Sequence, residues 1–257
     1  SGKYLEPFLG AGAVLFDQQN DRPKLVSDFN SDLIDVYKAV RDDCETVLDE
    51  LRKHRNTKEH YYSVRAWDRT PDFYSKRTLA QRAARFIYLN KTNYNGLYRV
   101  NSKGQMNVPF GDQGAADWVQ TELLRCVNQF LNREDSSGEK LIAVNACDYR
   151  ETTALASESD FVYIDPPYVD TFTHYQSGGF GMEKQKELRD EVVRMTQAGV
   201  PVLLSNSNAS AIHELYPPEL GFTLEVVVVR RAIGSSSGSR RRVEEVLVNN
   251  FKAVGRG

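Results

Sequence analysis

The sequence predicts an α/β fold, in which a sheet with a terminal antiparallel hairpin is interrupted by an inserted, mainly helical domain. Three observations support this prediction. Short segments rich in Val, Ile and Leu alternate with stretches of helical periodicity, which is typical of α/β sheets. The first apolar segment runs into a glycine-bearing turn. A long helical, aromatic and basic stretch interrupts the alternation, and a Gly- and Ser-rich loop separates the last two apolar segments.

The elements follow in order along the chain. We expect strands near residues 4–8, 25–28, 141–146, 161–165, 201–206, 222–231 and 243–250. Apolar residues recur at helical spacing in 31–52 and again in 183–197, which predicts two helices. Gly199 is placed to end the second of them. The last two strands are predicted to pair as a hairpin around the loop 234–239.

Length and composition limit the class of protein. At 257 residues and 40% hydrophobic, the chain can bury one good core beside a smaller appended domain. We place the inserted domain at 45–140 and the sheet domain at 1–44 and 141–257. Three cysteines without a CxxC pair and four scattered histidines argue against a disulfide framework or a metal site, and suit a cytoplasmic protein. No apolar run approaches the ~18 residues of a membrane span.

The most informative segment is the strand 161–164 and the four residues that follow it, Asp165-Pro166-Pro167-Tyr168. Asp165 can accept one hydrogen bond from an exocyclic amine. The carbonyl of Pro166 can accept another, since proline has no donor of its own and stiffens the backbone. Tyr168 can stack on the face of a base. The segment therefore suits a planar ring that carries an amino group, although a plain strand followed by a Pro-Pro turn would leave the same pattern.

The first strand and its turn suit a second ligand. Gly10 and Gly12 follow Phe8 and allow the backbone to approach a ligand closely. In an open α/β sheet, ligands bind at the carboxyl ends of the strands. Asp28 ends the next strand, where an acid can bond ribose hydroxyls. The turn lacks the GxGxxG pattern of dinucleotide-binding folds, so the sequence gives only weak support for a bound dinucleotide.

Together these segments resemble the Dam-type (class alpha, D12) DNA adenine-N6 methyltransferase family, over nearly the full chain. The resembling blocks are EPFLGAGAV, SDFNSDLI, YLNKTNYNGLYRVNSKGQMNVPFG, FVYIDPPY, FTHYQSGGF, VLLSNS and RRAIGSSSGSRRRVEEVLVNNF. The resemblance implies a Rossmann-like sheet that binds S-adenosylmethionine and a target-recognition role for 45–140. It implies methyl transfer to adenine N6 in double-stranded DNA, within GATC, after the target base is flipped out of the helix.

The same resemblance implies roles for individual residues. For S-adenosylmethionine it implies Lys3 at the carboxylate, as the remnant of a Gly-Gly-Lys element, and Asp28 at the ribose, with Phe8, Gly10, Gly12, Asp148 and Asp165 as further cofactor-binding residues. Asp165, Pro166 and Tyr168 would hold the target adenine. In the DNA, Tyr94 would fill the vacated space beside Asn95, and Arg99 would contact a guanine edge. Leu97 and Pro109 would meet a thymine methyl group, and Asn101 a phosphate.

The charge distribution suits nucleic acid, although the net charge is −2. Residues 73–111 contain no acid, and neither do 226–243. The basic residues of the two windows are Lys76, Arg77, Arg82, Arg85, Lys91, Arg99 and Lys103, and Arg230, Arg231, Arg240, Arg241 and Arg242. Local basic patches are the usual footprint of phosphate binding. Charge alone would allow RNA, and the resemblance selects DNA.

Two other functions stay open at this point. One is methylation of a different amine, namely cytosine N4, an RNA adenine or a protein glutamine. The other is a catalytically silent DNA-binding protein on the same fold. No obligate protein partner is evident. A bacterial or phage origin is expected, and an orphan regulator and a restriction–modification enzyme both fit the sequence.

Overall fold

The computed structural model describes residues 2–111, 117–168, 180–230 and 242–251, and it divides the chain into two compact units. The first, called here the sheet unit, comprises 1–29 and 140–257. The second, the helical unit, comprises 30–139. The predicted loop 234–239 lies outside the described residues.

The described strands of the sheet unit form one mixed sheet. They are β1 (Tyr4–Glu6), β2 (Lys24–Asp28), β3 (Ile142–Ala146), β4 (Phe161–Ile164), β5 (Val202–Ser207), β6 (Thr223–Arg230) and β7 (Arg242–Asn249), in the order β3-β2-β1-β4-β5-β7-β6. Strands β1 to β5 are parallel, and β7 pairs antiparallel with both β5 and β6. The order 3-2-1-4-5 is that of a Rossmann sheet. The predicted fold class and terminal hairpin are therefore confirmed.

Helices flank the sheet and close its core. The described helices of this unit are α1 (Ala13–Asp17), α7 (Tyr149–Thr153), α8 (Met182–Gln197) and α9 (Ser210–Leu215). Leu188, Val192 and Met195 of α8 are buried with the apolar residues of β4 and β5. Gly199 has a φ of 73°, a conformation that favours glycine, and it ends α8 as predicted.

The helical unit contains α2 (Ser31–Arg52), α3 (Lys58–Arg65), α4 (Phe73–Lys76), α5 (Leu79–Thr92) and α6 (Thr121–Leu131). Helix α2 has the predicted bounds, with a non-helical residue inside it at Asp43. Thr78 and Gln81 cap α5 reciprocally. We predicted that the inserted domain starts at Glu45, but the structure starts this unit at Asn30, because Val40 is already buried in one core with Ala84 and Tyr88.

The described helices include none that is both long enough and apolar enough to cross a membrane.

Candidate functional site

A cavity of about 1170 Å³ lies at the carboxyl edge of the parallel strands, within the sheet unit. Its wall includes residues that follow β1, β2, β3 and β4. Of the predicted site residues, the structure brings seven to it: Phe8, Gly10, Asp28, Asp148, Asp165, Pro166 and Tyr168. Ligand pockets commonly measure about 300–1,000 Å³, so this cavity can hold two ring systems at once.

The glycine-bearing turn forms one end of the cavity. Gly10 and Gly12 have φ values of 49° and 69°, which L side chains rarely adopt. The amide of Gly10 donates to Oδ2 of Asp28 at 2.9 Å. The turn therefore fixes the Asp28 carboxylate at the end of β2.

Aromatic rings line the cavity beside this carboxylate. Phe8 stacks on Tyr149 with ring centroids 5.2 Å apart, and Phe180 meets Phe8 edge-on at 5.6 Å. Asp148 begins α7 and accepts a hydrogen bond from the Arg150 amide at 3.0 Å. An apolar ring surface can stack on a base, and carboxylates beside it can accept from ribose hydroxyls, so these residues fit the adenosyl group of S-adenosylmethionine.

The Asp-Pro-Pro-Tyr segment forms the other end. Oδ1 of Asp165 accepts from the Ser205 hydroxyl at 2.7 Å. The carbonyl of Pro167 accepts from Nε2 of the buried Gln185 at 2.9 Å, which anchors the segment. Within the described residues no hydrogen bond to the Pro166 carbonyl is present. Asp165 and Pro166 both line the cavity at this end.

Tyr168 is held by its hydroxyl. This hydroxyl lies 2.9 Å from Oγ of Ser205 and donates to Oε2 of Glu245 at 3.2 Å. Burial raises the pKa of Tyr168 above its usual value, and the nearby negative charges of Asp165 and Glu245 raise it further. The tyrosine thus stays neutral and its ring orientation is fixed from one end.

Glu6 is a buried carboxyl group behind the cavity wall. It ends β1, is 2% exposed, and accepts from the Tyr4 hydroxyl at 2.8 Å. Burial raises the pKa of Glu6 to about 7, against a lowering by the Tyr4 hydrogen bond, and the negative charge of Asp165 adds to the rise. Its proton occupancy therefore changes near neutral pH.

Two predicted cofactor-binding residues do not line the cavity. Gly12 caps α1 and supports the turn from behind. Lys3 precedes β1, at the opposite end of the strand from the cavity, where its amide donates to Oδ1 of Asp160 at 2.5 Å. Its carbonyl accepts from the Phe161 amide at the start of β4. The structure therefore does not bring Lys3 to the cavity, because parallel strands place their amino ends on the opposite edge of the sheet.

The helical unit carries the predicted DNA-contacting residues on one folded-back segment, 94–109. Antiparallel bridges join Asn93 to Phe110 and Val100 to Met106. Tyr94 is 45% exposed and Leu97 is 39% exposed, so both side chains offer apolar surface to a partner. Asn95 has a φ of 58°, so the backbone reverses directly after Tyr94.

Arg99 is exposed on this segment, and its Nε donates to Oδ1 of Asn107 at 2.7 Å. Pro109 is exposed as well. Asn101 also lies on this segment and is half-buried. Its Oδ1 accepts from the amides of Lys103 at 2.9 Å and Gln105 at 3.0 Å, so this side chain shapes the turn of the segment.

A buried ion pair anchors the far arm of the segment. Asp68 and Arg85 pair at 2.7 Å with side chains only 12% and 6% exposed. Oδ2 of Asp68 also accepts from the Met106 amide at 2.9 Å. The Tyr61 hydroxyl donates to the Val108 carbonyl at 2.8 Å. These bonds fix the segment to the helices beneath it.

The first basic window is therefore not a phosphate surface throughout. Arg85 is buried, Arg82 pairs with Asp35 at 2.7 Å, and Lys76 pairs with Asp72, all through acids that lie outside the window. Lys91, Arg99 and Lys103 remain as exposed cations. In the second window Arg231, Arg240 and Arg241 lie outside the described residues.

Sequence reasoning missed the contribution of Ser205 and Glu245. The sequence did contain a signal for Ser205. Ser205 is the first polar residue after the apolar start of β5, and β5 pairs with β4, which Asp165 directly follows. Glu245 stands opposite Ser207 in the β5–β7 register, which the sequence alone could not supply.

The sequence is similar to known proteins over most of its length. The family model described as D12 class N6 adenine-specific DNA methyltransferase matches residues 1–233. The type II methyltransferase M1.LlaDCHI of Lactococcus lactis subsp. cremoris is 35% identical over 255 residues, which cover 96% of this chain and 86% of that protein. The type II methyltransferase M.MjaIII of Methanocaldococcus jannaschii is 33% identical, with coverage of 97% and 88%.

The DNA adenine methylase of Escherichia coli (strain K12) is 32% identical over 253 residues, covering 95% of this chain and 84% of that protein. Among solved structures, the rRNA methyltransferase aviRa from Streptomyces viridochromogenes overlays with a TM-score of 0.32 at 12% identity, covering 97% of this chain and 78% of that chain. A score this low does not establish a shared fold.

Proposed function

Because the chain belongs to the D12 class N6 adenine-specific DNA methyltransferase family, we propose that it transfers a methyl group from S-adenosylmethionine to adenine N6 in duplex DNA, within GATC. The observation that carries this proposal is the cavity at the carboxyl edge of the parallel strands. One end offers Asp28 and an aromatic surface, and the other offers the Asp165-Pro166-Pro167-Tyr168 segment. A nucleoside-bearing methyl donor and a target base fit these two ends.

The cofactor end of the cavity binds the methyl donor and orients it. When bound, S-adenosylmethionine supplies a methyl group that its sulfonium centre already activates. Asp28 would accept hydrogen bonds from the ribose hydroxyls, and the stacked rings of Phe8 and Tyr149, together with Asp148, would hold the adenine moiety. The protein's task here is positioning, which converts the transfer into a step between prealigned groups.

The target end acts on the amine. Adenine N6 is a poor nucleophile, because its lone pair is delocalised into the ring. Asp165 and the Pro166 carbonyl accept its two hydrogens and so favour a geometry that directs the lone pair at the methyl group. The ring of Tyr168, fixed by its hydroxyl, stacks on the base.

The helical unit supplies access to the base. N6 sits inside the helix and pairs with thymine, so the adenine has to be flipped out at a cost of a few kcal/mol. Tyr94 is exposed at a backbone reversal, which suits a ring that fills the vacated space, with Asn95 facing the orphan thymine.

The 94–109 segment also supplies sequence preference. Arg99 is exposed and oriented by Asn107, which suits a bidentate contact with a guanine edge. Leu97 and Pro109 offer apolar surface for a thymine methyl group. Asn101 shapes the turn through Oδ1, and its Nδ2 group, which donates one hydrogen to Oε1 of Gln105 at 3.0 Å, has a second hydrogen for a phosphate contact.

Transfer of tritiated methyl groups to duplex oligonucleotides tests the proposal. We expect incorporation into GATC duplexes at adenine N6, and none with Asp165→Ala, whose DNA affinity should stay within several-fold of wild type because Asp165 acts on the flipped base. Near-wild-type turnover by Asp165→Ala would refute this assignment. Incorporation into cytosine or RNA would instead support a different amine. Cofactor and DNA binding without any transfer would support the catalytically silent alternative.

A further inference from the structure

Two buried side-chain amides lie where the pattern of the fold calls for apolar residues. On α8, Gln185 belongs to a buried stripe at helical spacing whose other members are Leu188, Val192 and Met195. On β5, Asn206 lies two residues after the buried Leu204, on the same face of the strand. Both amides are 0% exposed. Burying polar groups costs stability unless they are bonded, and departures from a local pattern are expected at functional sites.

The contacts of these two amides have a fixed direction. A backbone carbonyl can only accept, so Gln185 presents Nε2 to the Pro167 carbonyl, at 2.9 Å. Oε1 of Gln185 then accepts from Nδ2 of Asn206 at 3.2 Å. Oδ1 of Asn206 accepts from the Ser207 amide at 2.8 Å. Gln185 and Asn206, called here the buried amide pair, thus connect the backbone of β5 to the carbonyl of Pro167.

That carbonyl controls a torsion angle that the Asp-Pro-Pro-Tyr segment does not restrict by itself. Asp165 and Pro166 each precede a proline, which restricts their ψ angles to extended values. The rings of Pro166 and Pro167 fix the two φ angles. Between the α-carbons of Asp165 and Tyr168, ψ of Pro167 is left without such a restriction, and it sets the direction in which the chain reaches Tyr168. The hydrogen bond from Gln185 fixes this angle.

Two adjacent residues of β5 hold the segment from opposite faces of the sheet. Ser205 lines the cavity, and its hydroxyl lies 2.9 Å from that of Tyr168. Successive side chains of a strand alternate between faces, so Asn206 lies on the other side, where it contacts Gln185 of α8. Tyr168 is therefore held at its hydroxyl from one face, and at the peptide that joins it to Pro167 from the other.

We propose that the buried amide pair positions Tyr168, and with it the target base, for methyl transfer. This inference rests on the proposed function, because it concerns the base that the Asp-Pro-Pro-Tyr segment is proposed to hold. Gln185 and Asn206 are positioning residues, and neither belongs to the cavity wall that the described residues form. Their effect is on alignment, where a displacement of about 1 Å can cost about 10²-fold in rate. Affinity for the two ligands depends on other groups.

Two variants and a control separate alignment from stability. Gln185→Met removes one amide and leaves the Pro167 carbonyl and Nδ2 of Asn206 without their partner. The double variant Gln185→Met/Asn206→Leu removes both amides and completes the apolar rows of α8 and β5. Replacing both polar partners by apolar groups of similar shape is nearly neutral or stabilising. The matched control is Gln197→Met, the same substitution at an exposed position of α8.

The first measurement is the single-turnover rate of methyl transfer to a GATC duplex at saturating S-adenosylmethionine and DNA. We expect Gln185→Met and the double variant to be at least about tenfold slower than wild type, and Gln197→Met to match wild type. The dissociation constants for both ligands should keep their wild-type values. Amide hydrogen exchange of β4 and β5 reports the stability of the double variant. A stable double variant with the wild-type rate would overturn the proposal, because the pair would then serve stability alone.

Gln185→Glu provides a second measurement, based on pH. A protonated carboxyl group can donate to the Pro167 carbonyl and accept from Asn206, whereas an ionised carboxylate can only accept. Burial raises the pKa of a carboxyl group, which favours the protonated form at this position. We expect the rate of Gln185→Glu, divided by the wild-type rate at the same pH, to increase as pH falls. The same ratio for Gln185→Met should stay constant.

Titration of other groups around the cavity is common to the compared proteins and cancels in this ratio. A ratio for Gln185→Glu that stays as low as that of Gln185→Met at every pH would contradict the positioning role, because restoring the donor would then restore nothing.

The two proposals fail in different ways. Absence of methyl transfer to adenine N6 by wild type would overturn the proposed function, and this inference with it. Transfer by wild type, matched by Gln185→Met and by the double variant, would overturn the positioning role alone.

Discussion

The sheet unit and the helical unit use their ionisable groups differently. Around its cavity the sheet unit keeps carboxyl groups, with Glu6 fully enclosed and Asp28 and Asp165 at the wall. The helical unit encloses Arg85 and His54. In the first unit the acceptor oxygens face a space that a ligand can enter. In the helical unit the buried Arg85 pairs with Asp68, and Asp68 also accepts a hydrogen bond from the Met106 amide.

The two units therefore differ in what their ionisable groups do. A change to a group that lines the cavity should affect ligand binding first, and a change to a buried group that holds the backbone should affect stability first. Variants of the sheet-unit cavity should therefore change ligand affinity, and variants of the buried groups in the helical unit should change the free energy of unfolding.

The largest expected effect is on the stability of the helical unit. Removing one member of a buried ion pair leaves the other charge uncompensated, at a cost of about 3–5 kcal/mol. We expect Asp68→Ala to lower the free energy of unfolding by this amount. Asp72→Ala, which removes the exposed pair with Lys76, should cost about 0–1 kcal/mol.

Urea unfolding followed by tryptophan fluorescence measures this directly, since both tryptophans of the chain, Trp67 and Trp118, belong to the helical unit. At urea concentrations at which the sheet unit remains folded, Asp68→Ala should still bind S-adenosylmethionine. Equal effects of Asp68→Ala and Asp72→Ala would contradict the anchoring role of the buried pair.

In the sheet unit the corresponding variant is Asp28→Ala. Hydrogen bonds to a charged group contribute about 1.5–3 kcal/mol, so we expect the affinity for S-adenosylmethionine to fall by that amount, with unfolding of the helical unit unchanged. Isothermal titration calorimetry gives the dissociation constant. Asp190→Ala, an exposed acid beside Arg189, is the control. An unchanged constant in Asp28→Ala would leave Asp28 as a strand-end residue only.

Arg99→Ala should change sequence preference more than stability. A bidentate arginine–guanine contact provides about 1–3 kcal/mol of discrimination. We expect loss of preference for the guanine that pairs with the last cytosine of GATC, measured as methylation rates on GATC and on singly substituted sites at two salt concentrations. A uniform loss on every site, with a salt slope reduced by about one, would make Arg99 a phosphate contact. Lys103→Ala, another exposed cation of this segment, provides the comparison.

The two units should also differ in how their stability responds to pH. Burial lowers the pKa of His54 to about 4 from 6.5, so the stability it contributes is present above pH 6.5 and is lost as pH falls towards 4. Glu6 has its pKa raised to about 7 from 4.5, so its contribution is present below pH 4.5 and is lost as pH rises through 7. Between these limits the two units should respond to pH with opposite sign.

Amide hydrogen exchange, resolved by unit, measures both slopes in one sample. Glu6→Gln should flatten the slope of the sheet unit alone, and His54→Asn that of the helical unit alone. Parallel slopes in wild type would refute the assignment of either group.

Much of the sheet unit could be predicted from the sequence because its signals are local. Val- and Ile-rich strands, the glycine turn and the end of α8 at Gly199 each depend on a few adjacent residues. The cavity wall followed from the rule that ligands bind at the carboxyl ends of parallel strands. The prediction for Lys3 matched a family motif to three residues, and the structure places Lys3 before β1, at the edge of the sheet away from the cavity.

Long-range pairing is what the sequence could not provide. An acid-free window suggested a continuous basic surface, yet Arg82 and Arg85 find their acids elsewhere in the chain. Ser205 and Glu245 meet Tyr168 across 37 and 77 residues. The start of the helical unit likewise depends on the packing of α2 against α5, which residue composition around Glu45 does not reveal.

Long-read sequencing of DNA from cells that express the chain tests the division of labour between the units most directly, because it reports the modified base and its sequence context together. We predict N6-methyladenine at GATC sites with wild type, none with Asp165→Ala, and methylation spread to related sites with Arg99→Ala. A wild-type protein that is folded and binds S-adenosylmethionine but leaves adenine unmodified would contradict this assignment.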